Sequence, residues 1–286
     1  MTQPSLGAAR PASWLPPLPL IGAKFLELRK RRVLMSVTAA FTVATPVIFY
    51  GIREIYHLIN PAPYGPAGSP DALAAIVTLM AQFGFIVAVM LGATAGTSDL
   101  TDGMFRHLVI TGRSRIALYL ARIPAGLSIL VSLAAVGFTV TALATAFLGG
   151  LEPASVVAAL PGDLFRSGLW FELYLVVGFT VGLGLGSLMA QRTVPVVLLT
   201  VWQIIITPAL ATHVLPHLIN AQRLVVGVAM YQLKPAVLAA GVIVSPNGGE
   251  QLALPPMPTW AMTAVIAGWI VGWLAIGGWK MATRDA

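Results

Sequence analysis

Six long apolar runs constrain this chain more than anything else in it. A membrane-spanning helix needs about 20 mostly apolar residues. Runs that meet the requirement lie at about 33–52, 73–97, 114–148, 167–190, 193–215 and 259–279. What lies between them cannot cover a water-facing surface. Only 9% of the residues are charged and 57% are hydrophobic, whereas a soluble domain carries about a quarter charged residues. Lipid is therefore the main solvent. The expected fold is all-α, a polytopic integral membrane protein with six transmembrane helices in one domain.

The third run is too long for a bilayer alone. Its length of about 35 residues gives roughly 50 Å of helix, against a hydrocarbon core of about 30 Å. Its N-terminal part, with Arg115 and Arg122, is expected to project beyond the membrane. The sixth run is framed by Trp260 and Trp279, about 28 Å apart along a helix, which suits one tryptophan at each interface.

Orientation follows from the basic residues. With the N-terminus inside, thirteen Lys and Arg fall on the cytoplasmic side and only Arg53, Arg166, Arg223 and Lys234 outside. That bias predicts both termini in the cytoplasm, and a plasma (inner) membrane is the expected location. The net charge of +7 then reads as loops facing anionic lipid. No basic-aromatic interleaving on a polar surface points to nucleic acid.

The proline-broken start, with Pro11, Pro16, Pro17 and Pro19, is not a signal peptide. Residues 1–17 are expected to form a disordered cytoplasmic tail. In 18–32, Leu18, Ile21, Phe25 and Leu28 make an apolar stripe, with Lys24, Glu27 and Arg31 largely off it. This pattern predicts an amphipathic interfacial helix, with Phe25, Glu27 and Leu28 as its candidate residues. Residues 33–280 form the six-span domain and 281–286 a short cytoplasmic tail. One further stretch, 221–246, is split by Lys234-Pro235 into two pieces too short to cross. It reads as a re-entrant or interfacial hairpin on the outer face, with a seventh span as the alternative.

Catalytic and metal signatures are sparse. The chain has no cysteine, which excludes disulfides and Cys-based metal sites. His213 and His217 are four apart, but Pro216 lies between them and no third ligand is near, so no metal site is assigned. No cofactor is expected on this chain. Glu172, an acid inside the fourth run, is a candidate for a translocation path. Glycines recur every four residues at Gly92 and Gly96, at Gly178, Gly182 and Gly186, and at Gly268 and Gly272. That spacing lets helices approach closely in lipid, and internal packing is the preferred reading of any one pair.

The one compact charged stretch among the spans is "GTSDLTDGMFRHLVITGRSR", residues 96–115. Thr97 or Ser98 can cap a helix, and Asp99 and Asp102 suit its positive end. Asp102 and Arg106 can pair across one turn. Leu100, Met104 and Leu108 supply an apolar face, Gly112 a stop, and Ser114 a cap for the next helix. The expectation is a short amphipathic helix over 98–112 with a face to bury against a partner.

The wider stretch "LGATAGTSDLTDGMFRHLVITGRSRIALYLARI" resembles the region between the second and third spans of type-2 ABC transporter permeases, the membrane subunits of ABC exporters. "FLELRKRR" is similar to that family's interfacial helix, and the long segment before the last span is similar to its re-entrant region. The resemblance implies that the short helix docks on an ATPase subunit as a coupling helix. It assigns docking to Asp99, Asp102, Phe105 and Arg106, with Arg113 and Arg115 at the following turn. The family commonly has Glu at the acidic position, so which of the two aspartates stands there is open. It also implies a second permease subunit, identical or related. No G-x-x-x-x-G-K-[ST] loop occurs in the chain, so ATP is expected on a separate P-loop ATPase. An ion-coupled secondary carrier and a non-transporting membrane scaffold are the alternatives.

Overall fold

The computed structural model describes residues 15–62, 64–101, 103–110, 114–149, 161–212, 217–239 and 256–284. All regular structure among the described residues is helical. Six helices are long and apolar enough to cross a membrane: Arg32–Ile59, Pro70–Thr101, Arg115–Leu148, Gly162–Met189, Thr193–Leu210 and Thr259–Thr283. They are called the first to sixth spans below. The first outruns its apolar stretch, continuing past Ile52 through Arg53 and Glu54 to Ile59. No helix breaker intervenes before Asn60-Pro61, so hydropathy marks where lipid begins and not where the helix ends.

The second and fourth spans form the centre. Their backbones touch: a Cβ on Gly92 would stand 2.1 Å from the Phe179 carbonyl oxygen, and one on Gly182 would stand 2.4 Å from that of Val89. Only glycine permits this. In lipid, apolar side chains gain little by leaving one hydrocarbon for another, so close contact between small residues supplies the attraction. The first two glycine sets thus pack within this chain. Gly268 and Gly272 do not, since a Cβ on either meets nothing within 4 Å.

The first and fifth spans share a different device. The first contains a π-helical segment, Ala40–Ala44, followed by Thr45-Pro46. The fifth contains another, Trp202–Ile206, followed by Thr207-Pro208. Proline cannot donate to the carbonyl four residues back and crowds it, and a wider turn relieves both problems. The consequence shows in burial. The inward residues of the first span are Leu34, Thr38, Thr42, Pro46 and Tyr50, and those of the fifth are Pro195, Leu199, Gln203 and Thr207. Both series step by four. In an ordinary α-helix each such step drifts by about 40°, whereas one extra residue in a π turn takes back about 100°. The π turn keeps each inward face pointing inward. In the first span that face lies hard against the third, where a Cβ on Gly137 would sit 1.7 Å from the Thr42 carbonyl oxygen.

Between the fifth and sixth spans the described part of 217–239 forms three short helices, Ile219–Arg223, Val226–Gln232 and Ala236–Ala239. None is long enough to cross, and the chain breaks at Leu233 to Pro235, where the sequence placed a break. The segment is tucked in among the spans. Trp170 of the fourth span and Trp269 of the sixth donate their indole N–H to the carbonyls of Met230 and Leu224, at 2.9 and 2.8 Å. The alternation of spans puts this segment at one end of the bundle. At the other, basic end lie an N-terminal helix, Leu18–Lys30, a short helix, Met104–Ile110, and the end of the sixth span.

Candidate functional site

The basic end is organised by one buried carboxylate. The N-terminal helix turns Leu20, Lys24 and Leu28 inward, at a four-residue step that puts all three on one face. Its expected stripe is therefore corrected in part. Leu28 is buried and Phe25 is partly buried against the core, but Leu18 is exposed and Lys24 takes an inward position. A lysine can sit there because its charge is met. Its amine donates to Asp99 Oδ1 and, at 2.8 Å, to Glu27 Oε2.

Asp99 binds a second cation on its other oxygen. Arg122 of the third span donates from Nη2 to Asp99 Oδ2 at 2.6 Å, and from Nη1 to the Gly96 carbonyl at 2.9 Å. Asp99 and Arg122 are 2% and 1% exposed. Buried charges persist only when paired and hydrogen-bonded, and here Lys24 and Arg122 meet Asp99 and Glu27, with Arg31 also reaching Glu27 at 3.9 Å. The cluster joins the N-terminal helix, the second span and the third. Ser187 of the fourth span also donates to the Gly96 carbonyl, at 3.4 Å. Arg122 does not stand in solution as expected; it is the inner wall of this cluster.

The position of Asp99 corrects the expected helix over 98–112. Thr97 and Ser98 do not cap a new helix, because the second span runs on to Thr101. The Thr97 and Thr101 hydroxyls bond back to the carbonyls of Ala93 and Thr97, at 2.8 and 3.2 Å. The break comes at Gly103, whose φ of +67° strains any other residue. After it the short helix Met104–Ile110 carries Phe105 and Arg106. Leu100 and Leu108 pack against the core while Met104 and Ile110 are exposed, so the expected continuous apolar face is divided by the turn. Asp102, Gly112 and Arg113 lie outside the described residues, as does His213.

Arg115 is engaged elsewhere. Its Nη1 donates to the carbonyls of Ala282, at 3.3 Å, and Arg284, at the negative end of the sixth helix's dipole. Arg284 in turn donates to the Ser187 carbonyl at 3.4 Å. Ser114 caps the third span as expected, accepting from the Ala117 N–H at 3.5 Å. Glu172 has one carboxylate oxygen buried without a partner among the described residues; neither Arg166 nor Arg223 pairs with it there. Among the described residues no group of His, Asp and Glu is arranged to hold a metal.

Sequence reasoning named Asp99 but missed its two partners. By sequence alone, Lys24 falls off the apolar stripe of an interfacial helix and Arg122 on a stretch that projects beyond the membrane. The available signal was their position: Lys24 follows Leu20 by four, and Arg122 stands two turns inside an apolar helix. Comparison with protein-family models and with curated proteins finds no match to this chain.

Proposed function

We propose that this chain is the membrane-embedded permease subunit of an ATP-binding cassette exporter, driven by a separate P-loop ATPase and paired with a second permease subunit. In this reading it sits in a plasma membrane with both termini cytoplasmic, and the basic end faces the motor. One observation carries the reading. A short helix with exposed apolar residues, Met104 and Ile110, is joined through Gly103 to a buried charge cluster that ties three elements together. A push on such a helix cannot be absorbed by a soft loop. It passes to the second span through the short turn, and through Asp99 to the third span and the N-terminal helix. ATP biases the equilibrium between two arrangements because the ATPase pair binds one of them better. Asp102, Phe105 and Arg106 are the docking residues of this proposal. Asp99 is the tie behind them, and Arg115 secures the sixth helix beside them.

The test is purification of the chain from its native membrane in mild detergent, with identification of co-purifying proteins. A stoichiometric P-loop ATPase is expected, lost on Asp102→Arg or Arg106→Glu while the permease remains folded. Consistent absence of an ATPase, or its retention in both variants, removes the proposal.

A further inference from the structure

Two adjoining cavities with partly shared walls lie beneath the Val226–Gln232 helix, between the fifth and sixth spans and in front of the second and fourth. The larger chamber has a volume of about 180 Å³ and is walled by Trp202, Trp269, Trp273, Phe85, Val181 and Leu198. The smaller, about 110 Å³, is lined by Thr78, Gln82, Trp170, Tyr231 and Lys234. Tyr174, Thr207 and Gly227 line both. Each chamber far exceeds the roughly 10–15 Å³ that one water needs.

The two chambers differ in chemistry. The larger is almost wholly apolar, and such a space stays dry and forfeits dispersion contacts unless something apolar fills it. Between the chambers Gln203 Nε2 donates to Gln82 Oε1 at 2.7 Å and to the Tyr174 hydroxyl at 2.6 Å. These polar side chains meet because the π turn of the fifth span aims Gln203 inward. Beyond them the Lys234 amine donates to Thr78 Oγ1 at 2.8 Å, and no carboxylate pairs with it among the described residues. Burial pulls its amine below the usual lysine range. Thr207 is 5% exposed, and its buried hydroxyl has no partner among the described residues. A buried polar group left unmet costs about 1–3 kcal/mol. A cation lacking an anion therefore lines the smaller chamber, and a hydroxyl lacking a partner lies where the two chambers meet. The larger chamber borders the outer surface of the helices: Leu198, which lines it, is 51% exposed.

We propose that this pair of cavities binds a single-chain anionic amphiphile, with its carboxylate or phosphate head at Lys234 and its hydrocarbon tail among Trp202, Trp269 and Trp273. The site belongs to the chain alone and does not depend on the ATPase pairing.

The three tryptophans provide the readout. The purified chain in nanodiscs is titrated with 9,10-dibromostearate, whose bromines quench indole fluorescence on contact. Parallel titrations use the dibrominated lysophosphatidic acid and the uncharged dibrominated stearyl alcohol. Saturable quenching by an anion is expected, and whichever anion binds tighter identifies the head. Lys234→Gln should weaken the anions at least tenfold and the alcohol less than twofold, and Lys234→Arg should keep most of the binding. Val181→Phe, which fills the apolar chamber without touching a polar group, should abolish saturation for all three probes. Variants are compared only if they elute as the parent does in size exclusion. Quenching that is linear and the same in parent and Val181→Phe is simple partition into lipid and overturns the proposal. So does an anion affinity unmoved by Lys234→Gln.

Discussion

Asp99 shows what one residue can hold. Its two oxygens satisfy one cation each, so Asp99→Asn leaves Lys24 and Arg122 buried with only Glu27 to offset them. Breaking a buried pair from one side costs about 3–5 kcal/mol. The expected result is a large drop in thermal stability in detergent. Adding Lys24→Met to Asp99→Asn should restore part of it, because it removes one of the two stranded charges. If the double variant melts no higher than Asp99→Asn, Lys24 is not held by this carboxylate. The pairing itself was not legible in the sequence, because Lys24 and Asp99 are 75 residues apart and local rules see only neighbours within a turn. Within that window Asp99 looks like a helix-starting acid. What overrules the local reading is the continuation of the second span, whose threonines bond back into it.

At the scale of the element, sequence was a good guide to existence and a poor one to geometry. Six apolar runs became six spans, and the split at Lys234-Pro235 became the break between two short helices. The π turns were not legible: Pro46 and Pro208 advertise a disturbance, but whether a helix kinks or widens depends on what lies across from it. Deleting Val43 should test the geometric account. It removes the extra residue of the π turn and so turns Pro46 and Tyr50 about 100° off the inward face. The 2.7 Å hydrogen bond between the Tyr50 and Thr145 hydroxyls would be lost with it. A marked fall in melting temperature is expected, while deletion of Ala62, in the connecting turn, should cost little. The glycine pattern yields a paired prediction. Gly182→Leu drives a side chain into the Val89 backbone and should prevent stable folding, whereas Gly268→Leu meets open space and should be tolerated. Equal yields of monodisperse protein would show that the spacing alone decides nothing.

For the whole molecule, the absence of native cysteine makes topology directly testable. Single cysteines at Arg29 and Arg284 should react with an impermeant maleimide from the same side of the membrane. A cysteine at Asn60 should react only from the other. Labelling of 29 and 284 from opposite sides would require an odd number of crossings and would sink the six-span arrangement. The contact between the second and fourth spans has a mechanical consequence. Two backbones pressed together along several turns cannot slide past one another without first separating, and separating them forfeits every close contact at once. Any rearrangement of the spans therefore carries those two helices as one unit, and relative motion falls to the helices around them. Spin labels placed on the second and fourth spans should report one unchanging distance under every condition that moves the others.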